Sequence, residues 1–544
     1  MLYGAGDRDG FLKIIEFNYE EDIDMKGKKL LSIMLVLAMS MGLMTGCGSK
    51  AKGVTSDNVI TAPDSSTDAS KADSSNTAET PATEATTEGA EAALPAMTTE
   101  PITLTYIHFD NDPLVKYLAD KFMEKYPNIK VETQYYVADG EYNNTLLNLV
   151  QAGKTPDCFM ILGNCDFALS NDLLGDITAY WEADPENQNI LPTINEAKMG
   201  YYGTESKWAT PMKFFPDAIY ADMAVFDKLN VEMPSTDWTW DEMINAFKAT
   251  TSPSDGIYGF NQYHSIVTYY PVASDPNCIG EFGWNGETFN MTSWAEGVNQ
   301  WAELVNGKYH APYFDTDEAE AWLGDRTMWA GNSGKIGFQL DAWWTYLNLF
   351  DTDEYRAKGI EMVPYTTPVV EGSGAKNVFG VLDFGGISSV TEHPREAYEL
   401  LKWMGWGAEG WSNKVEAYKT LTAEDGTPIY KQSMPLPITL DETVWNDLTS
   451  YFYPTENRTV ASDLVTAEED TKYGKYFDAF FAKCINVIPF GDTEIPGFAD
   501  FIANAYAGIE DQVRLEGKNA ADFVDELTKK ANEYHEAAMQ ADFE

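Results

Sequence analysis

Between Ile102 and Leu162 the chain switches repeatedly between two hydrophobic periods, and this limits its fold more than any other feature. Ile102–Ile107 reads as a strand, Pro113–Tyr126 carries apolar residues at helical spacing, and Ile129–Tyr135 reads as the next strand. Pro127 and Asn128 punctuate the first helix. Tyr142–Ala152 is again helical, ends at Gly153, and leads into the short apolar run Cys158–Leu162. Strand and helix taking turns in this way predict an α/β unit with a mostly parallel sheet.

Upstream the composition changes. From Ala51 to about Glu100 the residues are Ser, Thr, Ala, Asp, Glu and Pro, with almost no large apolar side chain. Such a segment cannot bury enough surface to offset its chain entropy, so 47–100 is expected to be a disordered tether. About 440 residues follow, more than one core usually serves, and at least two lobes are expected.

Before the tether, Lys26, Lys28 and Lys29 precede the apolar stretch Leu30–Met44. That stretch has the length of an export-signal core and falls short of the roughly 20 residues of a spanning helix. Leu43–Cys47 resembles a bacterial lipobox, which implies that 25–46 is a cleaved lipoprotein signal. In that reading the Cys47 thiol carries diacylglyceryl, whose two chains hold a membrane where one does not. The competing reading is a buried apolar helix followed by an incidental cysteine. Residues 1–24 place Glu20, Glu21 and Asp22 where a signal wants base, so translation is expected to start at Met25.

A formal net charge of −49 disfavours nucleic-acid phosphates and anionic lipid head groups and suits a neutral ligand. Five cysteines in 544 residues make no disulfide framework. Cys158 and Cys165 are spaced to close a small loop, or Cys158 is an ordinary buried thiol. No convergent Cys/His set suggests zinc. The acidic loop Asp315–Glu320 has calcium-type residues without the EF-hand spacing.

Ile102–Tyr106, Lys154–Cys158, Gly175–Tyr180, Ile219–Asn230, Thr239–Phe247, Gly331–Phe338 and Phe379–Val390, in that order behind a lipobox, resemble the extracellular solute-binding proteins of family 1. These are the oligosaccharide-type receptors of ABC importers. The resemblance implies an α/β, two-lobed, type II periplasmic-binding-protein-like fold, with hinge-connected lobes and a cleft between them. Lobe one would hold 101–222 and 379–415, and lobe two mainly 223–378 and 416–500, with 501–544 a C-terminal helical region. It also implies capture of a solute by lobe closure and delivery to ABC permease subunits, with no cofactor and no nucleic-acid partner. Thr420–Pro496 is longer than a minimal member needs.

A sugar presents apolar ring faces and a rim of hydroxyls, so its site needs flat aromatics together with Asp, Asn, Glu or Arg. Asp110 and Asn111 follow the first strand, at the edge where open α/β sheets bind ligands, although Asn111–Pro113 also reads as a helix cap. Asn164 and Asp166 follow the Cys158–Leu162 strand. Asp341, Trp343 and Trp344 follow the apolar run Ile336–Phe338; adjacent tryptophans face different ways, so one of the two belongs to the core. Tyr220 and Asp222 sit at the expected lobe crossing. Trp284, Trp403, Trp406, Arg326 and Lys213 are weaker candidates. Gly380, Gly385 and Gly386 suit either a tight backbone passage near the cleft or plain turning out of the sheet.

Other classes fare less well. With 86 acidic residues some pair always suits glycoside hydrolysis, so abundance carries no information. The chain has no Gly-x-Ser-x-Gly elbow, no His-Glu-x-x-His and no phosphate-cradling loop, and its five histidines are scattered. An adhesin, or a receptor for a peptide or polyamine, remains compatible with the composition.

Overall fold

The computed structural model describes residues 93–542, apart from 139–140, 163–164, 196, 198, 201–203, 347–352, 376–377, 485–486 and 490–494. The expected signal, Cys47 and most of the tether lie outside the described residues. Folded contacts begin earlier than position 101. Leu94 and Met97 pack against the first core, Thr98 N–H donates to Glu396 at 2.6 Å, and Arg395 donates to the Pro95 carbonyl at 2.8 Å.

In chain order the elements that matter here are β1 (Ile102–His108), α1 (Asp112–Lys125), β2 (Ile129–Tyr135), α2 (Tyr142–Gln151), β3 (Cys158–Ile161), β4 (Ala209–Asp222), β5 (Tyr258–Gln262), α3 (Ile266–Ser274), β6 (Ile336–Ala342), β7 (Met362–Tyr365) and β8 (Val378–Ile387). There follow α4 (Pro394–Met404), α5 (Ala408–Thr420), α6 (Glu442–Phe452), α7 (Ala467–Lys483), β9 (Val487–Pro489) and α8 (Val524–Asp542). Local chemistry starts the helices. Asn111 caps α1 by accepting from Leu114 N–H at 3.1 Å, Pro113 occupies its first turn, and Leu114, Val115, Leu118, Ala119 and Phe122 form its buried stripe. Thr466 and Glu469 close a capping box at α7.

The strands follow one path, β2-β1-β3-β8-β4-β6-β5, with β7 on β4 and β9 on β8. The expectation of a mostly parallel sheet needs correction. β1 runs parallel to β2 and β3, and β5 to β6, but β8 is antiparallel to β3 and β4, and β4 is antiparallel to β6 and β7. The reason is that β4 leaves the first lobe and β8 returns to it, so the two crossing strands must run in opposite directions.

β4 is buried along its whole length. Its first half, Ala209–Pro216, pairs with β8; its second half, from Asp217, pairs with β6 and β7. Two prolines mark the irregular points, since proline cannot donate to a ladder. Pro211 sits where the register shifts before Lys213, and Pro216 is the last residue paired to β8 before β6 takes over. On β8, a Cβ at Gly386 would come within 2.1 Å of the Leu174 side chain, so this glycine serves close packing within the sheet.

Two hydrophobic cores lie either side of this crossing. The segment after Thr420 does not join lobe two as expected. Leu436 N–H donates to Phe214 O at 2.9 Å, Leu191 N–H to Ile438 O at 2.9 Å, and Ile429, Leu436, Val444 and Leu448 enter the first core. Its backbone pairs with Phe214 along the edge of β4 opposite β8, which brings its apolar residues into the first core. α7 then packs on β7, and α8 docks on the second lobe, where Asn532 accepts from Phe289 N–H at 2.9 Å. Cys158, Cys165, Cys278 and Cys484 are buried free thiols. Among the described residues no helix is long and apolar enough to cross a membrane.

Behind the crossing Trp343 is 2% exposed and stacks on Phe480 (5.0 Å, 21°), with Tyr346, Tyr453 and Phe481 around it. Trp343→Ala is therefore expected to cost roughly 3–5 kcal/mol in urea unfolding, as cavities left by large aromatics do, whereas Trp344→Ala, at a half-buried position, should cost under about 1.5 kcal/mol.

Candidate functional site

Side chains alternate along a strand, so Lys213, Phe215 and Asp217 share one face of β4 while Phe214 takes the other. The shared face spans the lobe crossing. Lys213 is paired in register with Asp383 of β8, and its ammonium lies 3.2 Å from that carboxylate and 3.6 Å from Asp110 at the end of β1. Phe109 and Phe215 place their rings 5.2 and 5.9 Å from the same ammonium. Burial works against charge throughout this group. At Lys213 the two carboxylates outweigh it and raise the pKa; at Asp110 the charges of Lys213 and Lys414 outweigh it and hold the carboxyl below its ordinary range. At Asp383 burial wins and the pKa rises.

At the second lobe's end of the face, Asp217 is wholly buried and its Oδ2 lies 2.8 Å from His264 Nδ1, in the loop after β5. Burial opposes protonation of His264, but the Asp217 and Asp341 carboxylates overcome it and raise its pKa. Asn261 donates to Gln339 at 2.7 Å, Gln339 to Asp341 at 3.3 Å, and Trp344 Nε1 to Asp341 at 3.1 Å. This relay fixes the indole of Trp344, whose ring is 5.7 Å from Phe215, 6.0 Å from His264 and 6.3 Å from Tyr263. Burial pushes Asp341 up to about 6. Among the described residues Glu281 Oε1 is buried beside this relay without a hydrogen-bond partner, and the Tyr269 hydroxyl faces the Asp217 carboxylate. Aromatic planes flanked by paired charges thus run continuously from the end of β1 to the ends of β5 and β6.

The structure sorts the candidate residues. Asp110, Asp341 and Trp344 come together on this wall. Tyr220 is a correction: it is fully buried, its hydroxyl donates to Ala342 O at 3.0 Å, and its ring stacks on Tyr346. Trp343 is the second, being the core member of its pair. Asn111 is committed as the α1 cap through its Oδ1 and as a donor to Gln432 through its Nδ2. Asp222 caps the helix Met223–Leu229, and burial raises its pKa to about 6. Asn164 lies outside the described residues, and Asp166 opens the short helix Asp166–Ser170 directly after it. Trp284, Trp403 and Trp406 are core, the last two donating to Leu118 O and Asn187 Oδ1. Arg326 is tied to Asp315 and Asp317, and among the described residues no group of three or more His, Cys, Asp or Glu is placed to hold a metal.

Sequence reasoning singled out none of Phe215, Asp217, Tyr263, His264 and Asp383 as ligand contacts and undervalued Lys213. The period-two pattern Lys213, Phe215, Asp217 was the available signal.

The family model of bacterial extracellular solute-binding proteins matches residues 110–405. No curated protein matches the chain. Among solved structures, the fold is similar to an ABC substrate-binding protein from Listeria monocytogenes in complex with cycloalternan (16% identity, 79% of this chain and 98% of that one, TM-score 0.54). It is also similar to a sugar transporter from Rhizobium etli in an open conformation (14%, 80% and 99%, TM-score 0.56) and to a sugar-binding protein from Xanthomonas citri (13%, 81% and 98%, TM-score 0.56). The shared architecture is the type II periplasmic-binding-protein-like fold.

A carboxyl whose pKa rises on folding weakens the fold progressively as pH climbs from its unfolded to its folded value. For Asp341, moving from 3.8 to about 6, Asp341→Asn should therefore gain little at pH 4 and up to about 3 kcal/mol above pH 6, read by urea unfolding across that range. His264 has the opposite linkage. Its raised pKa stabilises below the unfolded value near 6.5 and is lost as pH rises through the folded value, so His264→Gln should destabilise more at pH 5.5 than at pH 8.

Proposed function

The chain belongs to the bacterial extracellular solute-binding proteins, a family of binding proteins and not of enzymes, and from that premise we propose that it is the lipid-anchored receptor of an ABC importer for a carbohydrate, a neutral oligosaccharide in particular. The observation that carries the reading is the wall at the lobe crossing. Phe215, Tyr263 and Trp344 offer ring-sized apolar planes, and Asp110, Lys213, Asp383, Asp217 and His264 alternate donors and acceptors along it. A sugar has this same alternation of faces and hydroxyls. Lys213 is already matched by two carboxylates, so an anionic ligand would meet Asp110, Asp383 and Asp217 on this wall. A fold shared with a protein that holds cycloalternan is in keeping with the reading.

Lys213, Phe215 and Asp217 are buried, so solute reaches them when the lobes part and is enclosed when they close. A ligand that touches both lobes stabilises the closed form by its differential affinity for it. The closed receptor then docks on the permease, whose transport is driven by ATP hydrolysed on other subunits. Cys47 tethers the receptor to the outer membrane face, and the segment that follows gives it clearance.

The test is a thermal-shift and calorimetric screen of the exported chain carrying Cys47→Ala, against neutral mono- and oligosaccharides, acidic sugars, peptides and polyamines. Saturable stabilisation by one neutral sugar class is expected, with Trp344→Ala raising Kd at least about tenfold. Stabilisation by peptides or polyamines alone would keep the receptor and replace its substrate.

A further inference from the structure

The relay that holds Trp344 has a direction. The Asn261 amide on β5 donates to Gln339 Oε1 on β6 at 2.7 Å, and the Gln339 amide donates in turn to Asp341 Oδ2 at 3.3 Å and to the Leu340 carbonyl at 3.2 Å. Asp341 Oδ1 receives Ala342 N–H at 2.9 Å and Trp344 Nε1–H at 3.1 Å. Asn261 and Gln339 are register partners, and Gln339 and Asp341, two apart on β6, share a face, so the strands themselves keep the three side chains in line. Every donor points toward the Asp341 carboxylate, which as an ion can only accept. Gln339 is wholly buried and Asp341 is 4% exposed, whereas Asn261 and Trp344, at the two ends, are half-buried.

A proton on this carboxylate does not fit the relay as it stands. Oδ1 already meets two N–H groups, so the proton goes to Oδ2, where it faces the Gln339 amide nitrogen. The clash ends when the Gln339 amide turns over and offers Oε1 as the acceptor. Its nitrogen then meets that of Asn261, which turns over in the same way at the half-buried end. Leu340 O loses the Gln339 bond but keeps Tyr263 N–H at 2.8 Å. At the other end Trp344 Nε1–H is left with a neutral oxygen in place of a carboxylate, and hydrogen bonds to a charged acceptor are roughly twice as strong.

We propose that Asp341, Gln339 and Asn261 form a proton-operated latch on Trp344: with Asp341 ionised the indole is held firmly on the wall, and with Asp341 protonated the relay reverses and the indole loosens, so the receptor holds its solute less tightly in acid. The effect on binding rests on the reading above, in which Trp344 meets the solute; the reversal of the relay does not.

The groups around Asp341 set where the latch works. Burial raises its pKa, Ala342 N–H, the positive charge of His264 and the Thr345 hydroxyl oppose the rise, and the Asp217 charge adds to it, leaving it at about 6. Tyr220 of β4 and Tyr269 of α3 also face it, but burial lifts both phenols well above their ordinary range and they stay neutral. The latch is therefore closed above about pH 6 and opens progressively below it.

The experiment reads Trp344 first without a ligand. Tryptophan emission and acrylamide quenching are measured between pH 5 and 8 on the exported chain carrying Cys47→Ala and on the same chain with Trp344→Phe, the difference being the signal of Trp344, with circular dichroism to follow the fold. A transition near pH 6 is expected, the indole being more open to the quencher on the acid side. Asp341→Asn, whose amide matches the protonated acid, should give the acid-side signal at every pH. His264→Gln and Gln339→Met each remove a group that favours the ion, so both should keep the transition and move it to higher pH. A Trp344 signal that is flat across this range overturns the latch, as does a transition that survives in Asp341→Asn or a midpoint unmoved in Gln339→Met. The second arm is calorimetry with maltotetraose, cellotetraose and xylotetraose. For whichever binds, Kd should rise at least about threefold from pH 7.5 to pH 5 in the unaltered chain and stay level in Asp341→Asn. A Kd equally flat in both overturns the latch's part in binding. Failure of all three sugars to bind, with the fluorescence transition present, overturns the carbohydrate reading and supports the relay.

Discussion

Everything in this molecule hangs on one strand. β4 contributes its first half to the sheet of one lobe and its second half to the sheet of the other, and it is buried from Ala209 to Asp222. A central strand has no freedom to slip by one residue, because the period of two would exchange its faces. That rigidity turns a sequence pattern into a site. Lys213, Phe215 and Asp217 must look one way while Phe214 and Tyr220 go to packing, and the crossing sets the first three between the lobes.

The charges on that wall weaken the fold. Buried ion pairs seldom repay their desolvation, and a carboxylate such as Asp341, lifted to about 6 by burial, works against folding at neutral pH. The Glu281 oxygen, which has no hydrogen-bond partner among the described residues, adds to this. Polar groups held in place before a ligand arrives spare it the cost of ordering them, so in the proposed receptor strain in the empty form would become affinity in the filled one. The surrounding cores supply the margin, and the aromatic cluster around Trp343 stands directly behind the crossing.

Local signals were legible from the chain and long-range ones were not. Asn111 and Pro113 announced α1 by chemistry that acts over three residues, and the first three strands followed from apolar runs. The tryptophan pair was readable only as one inside and one outside; which was which depended on α7, more than 120 residues away, closing over Trp343. Asp383 and His264 carried no mark of their own, since each gains its role from a partner on another strand. Lys213 ranked low because a solvated surface is the commoner fate of a lysine, and the Asp110 and Asp383 carboxylates that hold it inside come from other strands. The segment after Thr420 was misplaced because apolar residues declare that they will be buried, not against which lobe.

Closure between such lobes has to be accommodated by strands that cannot be unzipped. Bending is least costly where ladder hydrogen bonds are already missing, and β4 has two such points, the register shift between Pro211 and Lys213 and the change of partner at Pro216. Lys213 and Phe215 lie between them and Asp217 just beyond the second. On the proposed reading the residues of the candidate face sit where the backbone yields, and a solute that contacts Lys213 and Asp217 together would act on the hinge directly. Recognition and closure would then need no relay between separate parts of the fold, because one short stretch of β4 would carry both.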